Sequence, residues 1–187
     1  AQLAVVGSRR PTAGGRDHAH AFARRFAEAG FVVCSGLAAG IDSAAHLGAL
    51  QRGRTIAVLG NGPDLCYPPG NHELLARIAD EGAVVTEHPP GTPSQRQHFP
   101  SRNRLIAGLS LATLVVEAAL RSGALITARL AADAGREVFA LPGSIHNPMA
   151  RGCHRLIRDG ATLVESPSDV LAVLGPIAAD LARALRG

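Results

Sequence analysis

Seven short, mostly apolar runs recur along the chain, and they constrain its fold more than any other feature. They are Leu3 to Val6, Phe31 to Cys34, Thr55 to Leu59, Ala83 to Thr86, Ala112 to Val116, Glu137 to Leu141 and Thr162 to Val164. Runs that are continuously apolar suit strands covered on both faces, the situation of a parallel sheet. Between several of them lie helical patterns: Ala19, Phe22, Ala23, Phe26 and Ala27 share one face, and Ile41, Ala44, Ala45 and Gly48 share another. The alternation predicts an α/β fold with a mostly parallel sheet and helices on both faces. Open sheets of this type bind ligands beyond the carboxyl ends of their strands, at the point where strand order reverses.

Glycines gather at those strand ends. Gly7-Ser8-Arg9-Arg10-Pro11-Thr12 follows the first run, and Ser35-Gly36-Leu37-Ala38-Ala39-Gly40-Ile41-Asp42 follows the second. Glycine lets successive N–H groups and a helix N-terminus turn toward an anion, although the same residues also serve plain turn geometry. Neither stretch is a Gly-x-Gly-x-x-Gly or a phosphate loop of the Gly-x4-Gly-Lys-Ser/Thr kind. Asp42 falls at a helix start, where a carboxylate complements the dipole and a structural role is expected.

The densest chemistry lies at Phe99-Pro-Ser-Arg-Asn-Arg-Leu-Ile-Ala-Gly-Leu-Ser110. Pro100 biases Phe99 toward extended backbone, so the ring is expected to project ahead of a helix capped by Ser101 or Asn103. No acidic residue occurs between Glu87 and Glu117, which leaves Arg96, Arg102 and Arg104 in an uncancelled local field. A second acid-free tract, from Glu137 to Asp159, holds Arg151, Arg155 and Arg158 with His146 and His154. All nineteen basic residues are arginine and the formal net charge is +4. Arginine's planar fork grips phosphate with two bonds and stacks on bases. Of the five phenylalanines, Phe22, Phe26, Phe31 and Phe139 fit core positions, whereas Phe99 has polar, proline and glycine neighbours. It either stacks on a base, worth about 1–3 kcal/mol, or plugs its loop against the sheet.

Catalytic and metal chemistry find little support. The eight histidines are scattered, and His18-x-His20 beside Asp17 lies on an arginine-rich helix face where solvation is the simpler reading. Ser35 lacks a Gly-x-Ser-x-Gly elbow, and Glu117 has no evident partner as a base. Cys34, Cys66 and Cys153 are odd in number and widely spaced, so no disulfide framework or cysteine metal site is expected and a reducing cytoplasm follows. No cofactor is expected, and no apolar run approaches a membrane span of about 20 residues.

With these residues laid out, the chain resembles the DNA-processing protein A family, also called DprA or Smf. The matching stretches are Val6-Gly-Ser-Arg9, Cys34-Ser-Gly-Leu-Ala-Ala-Gly-Ile-Asp42, the Phe99–Ser110 stretch, Glu117-Ala118, Ser122-Gly-Ala-Leu-Ile-Thr-Ala128 and Ala140-Leu-Pro-Gly143. The resemblance implies an extended Rossmann-like fold that binds single-stranded DNA during natural transformation, protects it and loads a RecA-type recombinase. It also implies a homodimer. Carried over, Arg9 would hold a phosphate and Phe99 would stack on a base, with Arg102, Asn103 and Arg104 lining the same pocket. Arg96 stands where the family often has lysine, and His154 where asparagine would be expected. The DNA-binding set is completed by Gly7, Ser8, Gly36, Gly40, Ser122 and Gly123. A nucleotide-processing enzyme akin to the phosphoribohydrolase group remains the alternative, although that group's Pro-Gly-Gly-x-Gly-Thr-x-x-Glu loop is missing. A partner-binding scaffold is the third reading.

Residues 1–166 are expected to form the DNA-binding domain, and 167–187 a helical tail or the start of a linker. The stripe Val170, Leu174, Ile177, Leu181 and Leu185 is expected to break into two helices at Gly175-Pro176. The abrupt opening on a strand suggests a piece of a longer protein, and the helical domains that often flank family members are not visible.

Overall fold

The computed structural model describes residues 1–184. All seven apolar runs become strands: β1 (Gln2–Val6), β2 (Val32–Ser35), β3 (Thr55–Val58), β4 (Ala83–Val85), β5 (Ala112–Val115), β6 (Glu137–Ala140) and β7 (Thr162–Leu163). They form one sheet in the order β4-β3-β2-β1-β5-β6-β7, and every pairing is parallel. The chain therefore winds outward from β1 to β4, returns to the other side of β1 at β5, and winds outward again. The reversal leaves a crevice at the carboxyl ends of β1 and β5.

Seven α-helices accompany the strands: α1 (Ala13–Glu28), α2 (Ile41–Ala49), α3 (His72–Glu81), α4 (His98–Leu109), α5 (Ala124–Asp133), α6 (Arg151–Arg158) and α7 (Pro167–Ala184). Alternate residues of each strand feed opposite faces of the sheet. Leu3, Val5, Val33, Leu114 and Phe139 join Phe22 and Phe26 of α1, Ile41 and Ala45 of α2, and Val170 and Leu174 of α7. Ala4, Val6, Cys34, Val58, Val115 and Ala140 join Ile106 of α4, Ala128 of α5 and Cys153 of α6 on the other face. Leu74 and Ile78 of α3 close a smaller cluster with Leu37, Ala57 and Leu59. Burial pushes the Cys34 and Cys153 thiols up to about 12, which leaves both unreactive.

Three expectations are corrected. The break at Gly175-Pro176 does not occur: α7 runs through Pro176 without interruption. Ala172, whose carbonyl lies four residues before Pro176, is in an exposed part of the helix, where loss of the Pro176 N–H bond costs least. Val170 and Leu174 sit in the core while Ile177 and Leu181 are exposed, and Leu185 lies outside the described residues. The stripe is therefore split, with Val170 and Leu174 packed in the cluster that holds Phe22 and Phe26 of α1. The third correction concerns Phe99, which stands inside the first turn of α4 and not ahead of it. A proline is tolerated in that turn because its N–H would have no partner in the helix. Gln97 precedes the helix, and no side chain caps it; Ser101 donates back to the Gln97 and His98 carbonyls, and Asn103 is buried further along.

His46 of α2 is fully buried, and its Nδ1 is 2.7 Å from Thr55 Oγ1. That hydroxyl already donates to the Val33 carbonyl, so Nδ1 carries the proton. Burial first, and the Arg102 charge second, push the imidazole down to about 3 from its usual 6.5. A depressed value means that the unfolded chain takes up the proton first, so stability is complete above pH 6.5 and falls as pH drops below it. Urea midpoints measured between pH 7.5 and pH 5 should report a loss of about 1.4 kcal/mol per pH unit below 6.5, absent in His46→Gln.

Candidate functional site

The Gly7–Thr12 loop leaves β1 at the crevice, and Glu117, just past β5, fastens both of its ends. At the near end the Glu117 carbonyl accepts from Ser8 N at 2.7 Å. At the far end its carboxylate accepts from Thr12 N at 2.9 Å and from Thr12 Oγ1 at 2.7 Å, with Asn147 Nδ2 donating at 3.4 Å. Thr12 in turn caps α1 by accepting from Gly15 N. Glu117, expected to lack a partner, is therefore saturated and only 9 % exposed. Ser8 is equally occupied: its carbonyl accepts from Ile41 N, and its hydroxyl accepts from Arg10 N and donates to Met149 Sδ. Glu117→Ala should cost about 1–3 kcal/mol in a urea titration and raise amide exchange selectively across residues 7–12.

The second glycine loop is folded around Arg102. This side chain, 5 % exposed, donates through Nη1 to the carbonyls of Gly36 and Val58. A Cβ on Gly36 would stand 2.6 Å from that nitrogen, so glycine is what lets the guanidinium pass. Beside it the Asp42 carboxylate accepts from Gly36 N at 3.1 Å and Ala38 N at 3.4 Å. Burial drives the Asp42 carboxyl up, while the Arg102 charge and these N–H groups pull it down. The Gly36 N–H expected to face an anion is thus taken by the chain's own aspartate. Gly40 has φ +86° and packs against the Ser8 carbonyl and Pro11, joining the two loops. Neither glycine lines the crevice.

The crevice itself is a cleft of about 830 Å³ walled by the Gly7–Thr12 loop, the start of α4 and the turn into α5. Phe99 is half-buried in it, with the Arg9 guanidinium 5.1 Å and that of Arg102 5.8 Å from its ring centroid. Arg9, Arg10, Arg96 and Arg121 are exposed on its walls and form no ion pair among the described residues. Its one acidic neighbour among the described residues is Asp42, whose carboxylate is occupied by Gly36 N and Ala38 N. Gly7, Ser8, Asn103, Ser122 and Gly123 also line it, and Asn103 Nδ2 donates to the Gly123 carbonyl at the start of α5.

Two of the expected cations lie elsewhere. Arg104 points out of the cleft into an ion pair with Glu87, which stands at the very edge of the acid-free stretch. His154 is on α6, where its Nε2 accepts from Gly143 N at 3.2 Å and steadies the loop after β6. It does not line the cleft. Conversely, the sequence reading passed over Tyr67, Arg10 and Arg121. Tyr67 has its ring centroid 5.4 Å from that of Phe99, and its rarity was a usable signal, since the chain has one tyrosine. Among the described residues no group of three or more His, Cys, Asp or Glu side chains could hold a metal, and no helix is long and apolar enough to cross a membrane.

Comparison with known proteins gives a consistent picture. The family model described as DNA recombination-mediator protein A matches residues 1–175. Protein Smf of Synechocystis sp. is 49 % identical over 180 residues, covering 94 % of this chain and 44 % of that protein. The X-ray structure of DNA processing protein A from Streptococcus pneumoniae superposes with a TM-score of 0.87 at 46 % identity, over 91 % of this chain and 60 % of that one. DNA processing protein A from Helicobacter pylori, solved for its single-stranded DNA binding mode, gives 0.86 at 31 % identity, over 92 % and 79 % respectively. The chain thus spans about half the length of curated relatives such as the Synechocystis protein.

Proposed function

Since the chain belongs to the DNA recombination-mediator protein A family, we propose that its cleft binds single-stranded DNA and that the whole protein, as a homodimer, protects that strand during natural transformation and passes it to a RecA-type recombinase. The observation that carries the first step is the meeting of an exposed arginine, Arg9, with a half-buried aromatic ring, Phe99, in a cleft whose other exposed charges are all arginine. Phosphates would lie along Arg9, Arg10, Arg96 and Arg121, and a base would stack on Phe99, with Asn103, Ser122 and Gly123 at the floor. Such contacts hold a strand with little base readout. Gly7, Ser8, Gly36, Gly40 and Arg102 serve the site by shaping it.

The relation to the Helicobacter protein, whose structure is described by its single-stranded DNA binding mode, supports this reading. A binding role without catalysis is favoured by Glu117, the one carboxylate at the β5 end, whose oxygens are engaged by Thr12 and Asn147. The test is fluorescence anisotropy with labelled oligo-dT against a matched duplex at two salt concentrations. Tighter binding of the single strand is expected, with an affinity that falls as salt rises. Equal affinity for both forms sinks the reading, and release of free base from nucleoside monophosphates would replace it with the hydrolase.

A further inference from the structure

Phe99 offers less open surface than its place in the cleft suggests. Arg9 and Arg102 stand within 6 Å of its centroid, and the Gly60 backbone approaches from behind, where an added Cβ would meet Phe99 Cδ1 at 3.3 Å. The more accessible aromatic surface belongs to Tyr67, which is 42 % exposed and also lines the cleft. The two ring planes are inclined at 38° with centroids 5.4 Å apart, so they form a bent shelf and not a closed sandwich.

The loop that carries Tyr67 is fixed on both sides. Before it, Asn61 Nδ2 donates to the Gly62 and Leu65 carbonyls. After it, Asn71 Nδ2 donates to the Leu37 carbonyl and to Ser43 Oγ. The Tyr67 hydroxyl makes no hydrogen bond among the described residues, and its ring packs against that of Phe99. An aromatic ring held in advance and left partly open loses little entropy when a planar ligand covers it.

From this geometry we infer that Tyr67 is a second base-stacking position, which seats the base next to the one on Phe99. The inference rests on the single-strand reading above and adds a residue to it. A strand crossing the bend between the rings would separate two successive bases and lay one on each. Arg9, over Phe99, would then meet the phosphate between them.

The chain provides its own probe, because one tyrosine and no tryptophan make its ultraviolet emission a report on residue 67 alone. Unsubstituted protein is titrated with oligo-dT and with an abasic strand of equal length, and N-acetyltyrosinamide corrects for light absorbed by the DNA. Quenching of tyrosine emission by oligo-dT and not by the abasic strand is expected. In parallel, Tyr67→Ala should weaken oligo-dT binding about 5- to 150-fold, and Tyr67→Phe should bind within about twofold of the unsubstituted chain. Binding of oligo-dT with undiminished tyrosine emission overturns the second stacking position but leaves the cleft reading intact. Failure of both strands to bind overturns the two together. The emission measurement needs no variant, so a misfolded Tyr67→Ala protein would not rescue the inference.

Discussion

Replacing Arg102 by alanine is expected to lower the free energy of unfolding by about 2–6 kcal/mol, since two buried carbonyls each lose their donor at about 1–3 kcal/mol apiece. The guanidinium is enclosed between α4, the end of β3 and the Gly36 loop, and its loss strands two carbonyls and removes a positive charge near the buried Asp42 carboxylate. Without the arginine, burial is opposed only by the hydrogen bonds that Asp42 accepts, and its carboxyl rises further above the ordinary value. A raised carboxyl costs stability as pH climbs through it, so the deficit should shrink in mild acid and grow toward neutrality. Adding Asp42→Asn to Arg102→Ala should recover part of the loss. Urea titrations of the two variants at pH 5 and pH 7.5 check both statements, and equal stability of Arg102→Ala and the unsubstituted chain would remove Arg102 from the scaffold.

Phe99→Ala is expected to weaken single-strand binding by about 1–3 kcal/mol, roughly 5- to 150-fold. Because the ring is half-buried, the alanine variant also opens a gap beside Gly60, and a loss of affinity could come from the loop instead of the missing stack. Phe99→Leu separates the two: leucine fills the space yet offers no π face. Stacking predicts that leucine binds almost as poorly as alanine; a plug predicts that leucine restores binding. Arg9→Ala should act differently, lowering the slope of log affinity against log salt by about 0.7, as one lost phosphate contact does on a single strand. Anisotropy over a salt series, run on each variant, reads both effects.

The sheet was legible because a strand covered on both faces must be mostly apolar along its length, as Ala112 to Val116 and its six counterparts are. The start of α4 was not, because Pro100 signals a boundary whether it stands before the first turn or inside it. Arg102 and Arg104 show a deeper limit. They are two residues apart in one stretch, yet one is buried against carbonyls supplied by residues 36 and 58 and the other reaches Glu87. Local composition gives a charge; only the fold says what the charge faces. The binding set read from the sequence therefore mixes residues that border the cleft, such as Arg9, Arg96, Phe99 and Ser122, with Gly36 and Gly40, which pack behind its walls, and His154, which steadies a neighbouring loop. Tyr67 was missed because the loop of residues 60–73 reaches Phe99 only once α4 has packed beside β3.

The four cleft-wall cations that form no ion pair among the described residues have one more consequence, which follows from their all being arginine. Lysine ammonium groups lose their charge to acyl donors, and acetylation is a common way to loosen a protein's hold on an anion. Guanidinium groups do not react in this way, and this chain has no lysine anywhere. Its cleft is closed to that form of control, and amine-directed dyes should leave its walls untouched and label the chain only at its terminal amine.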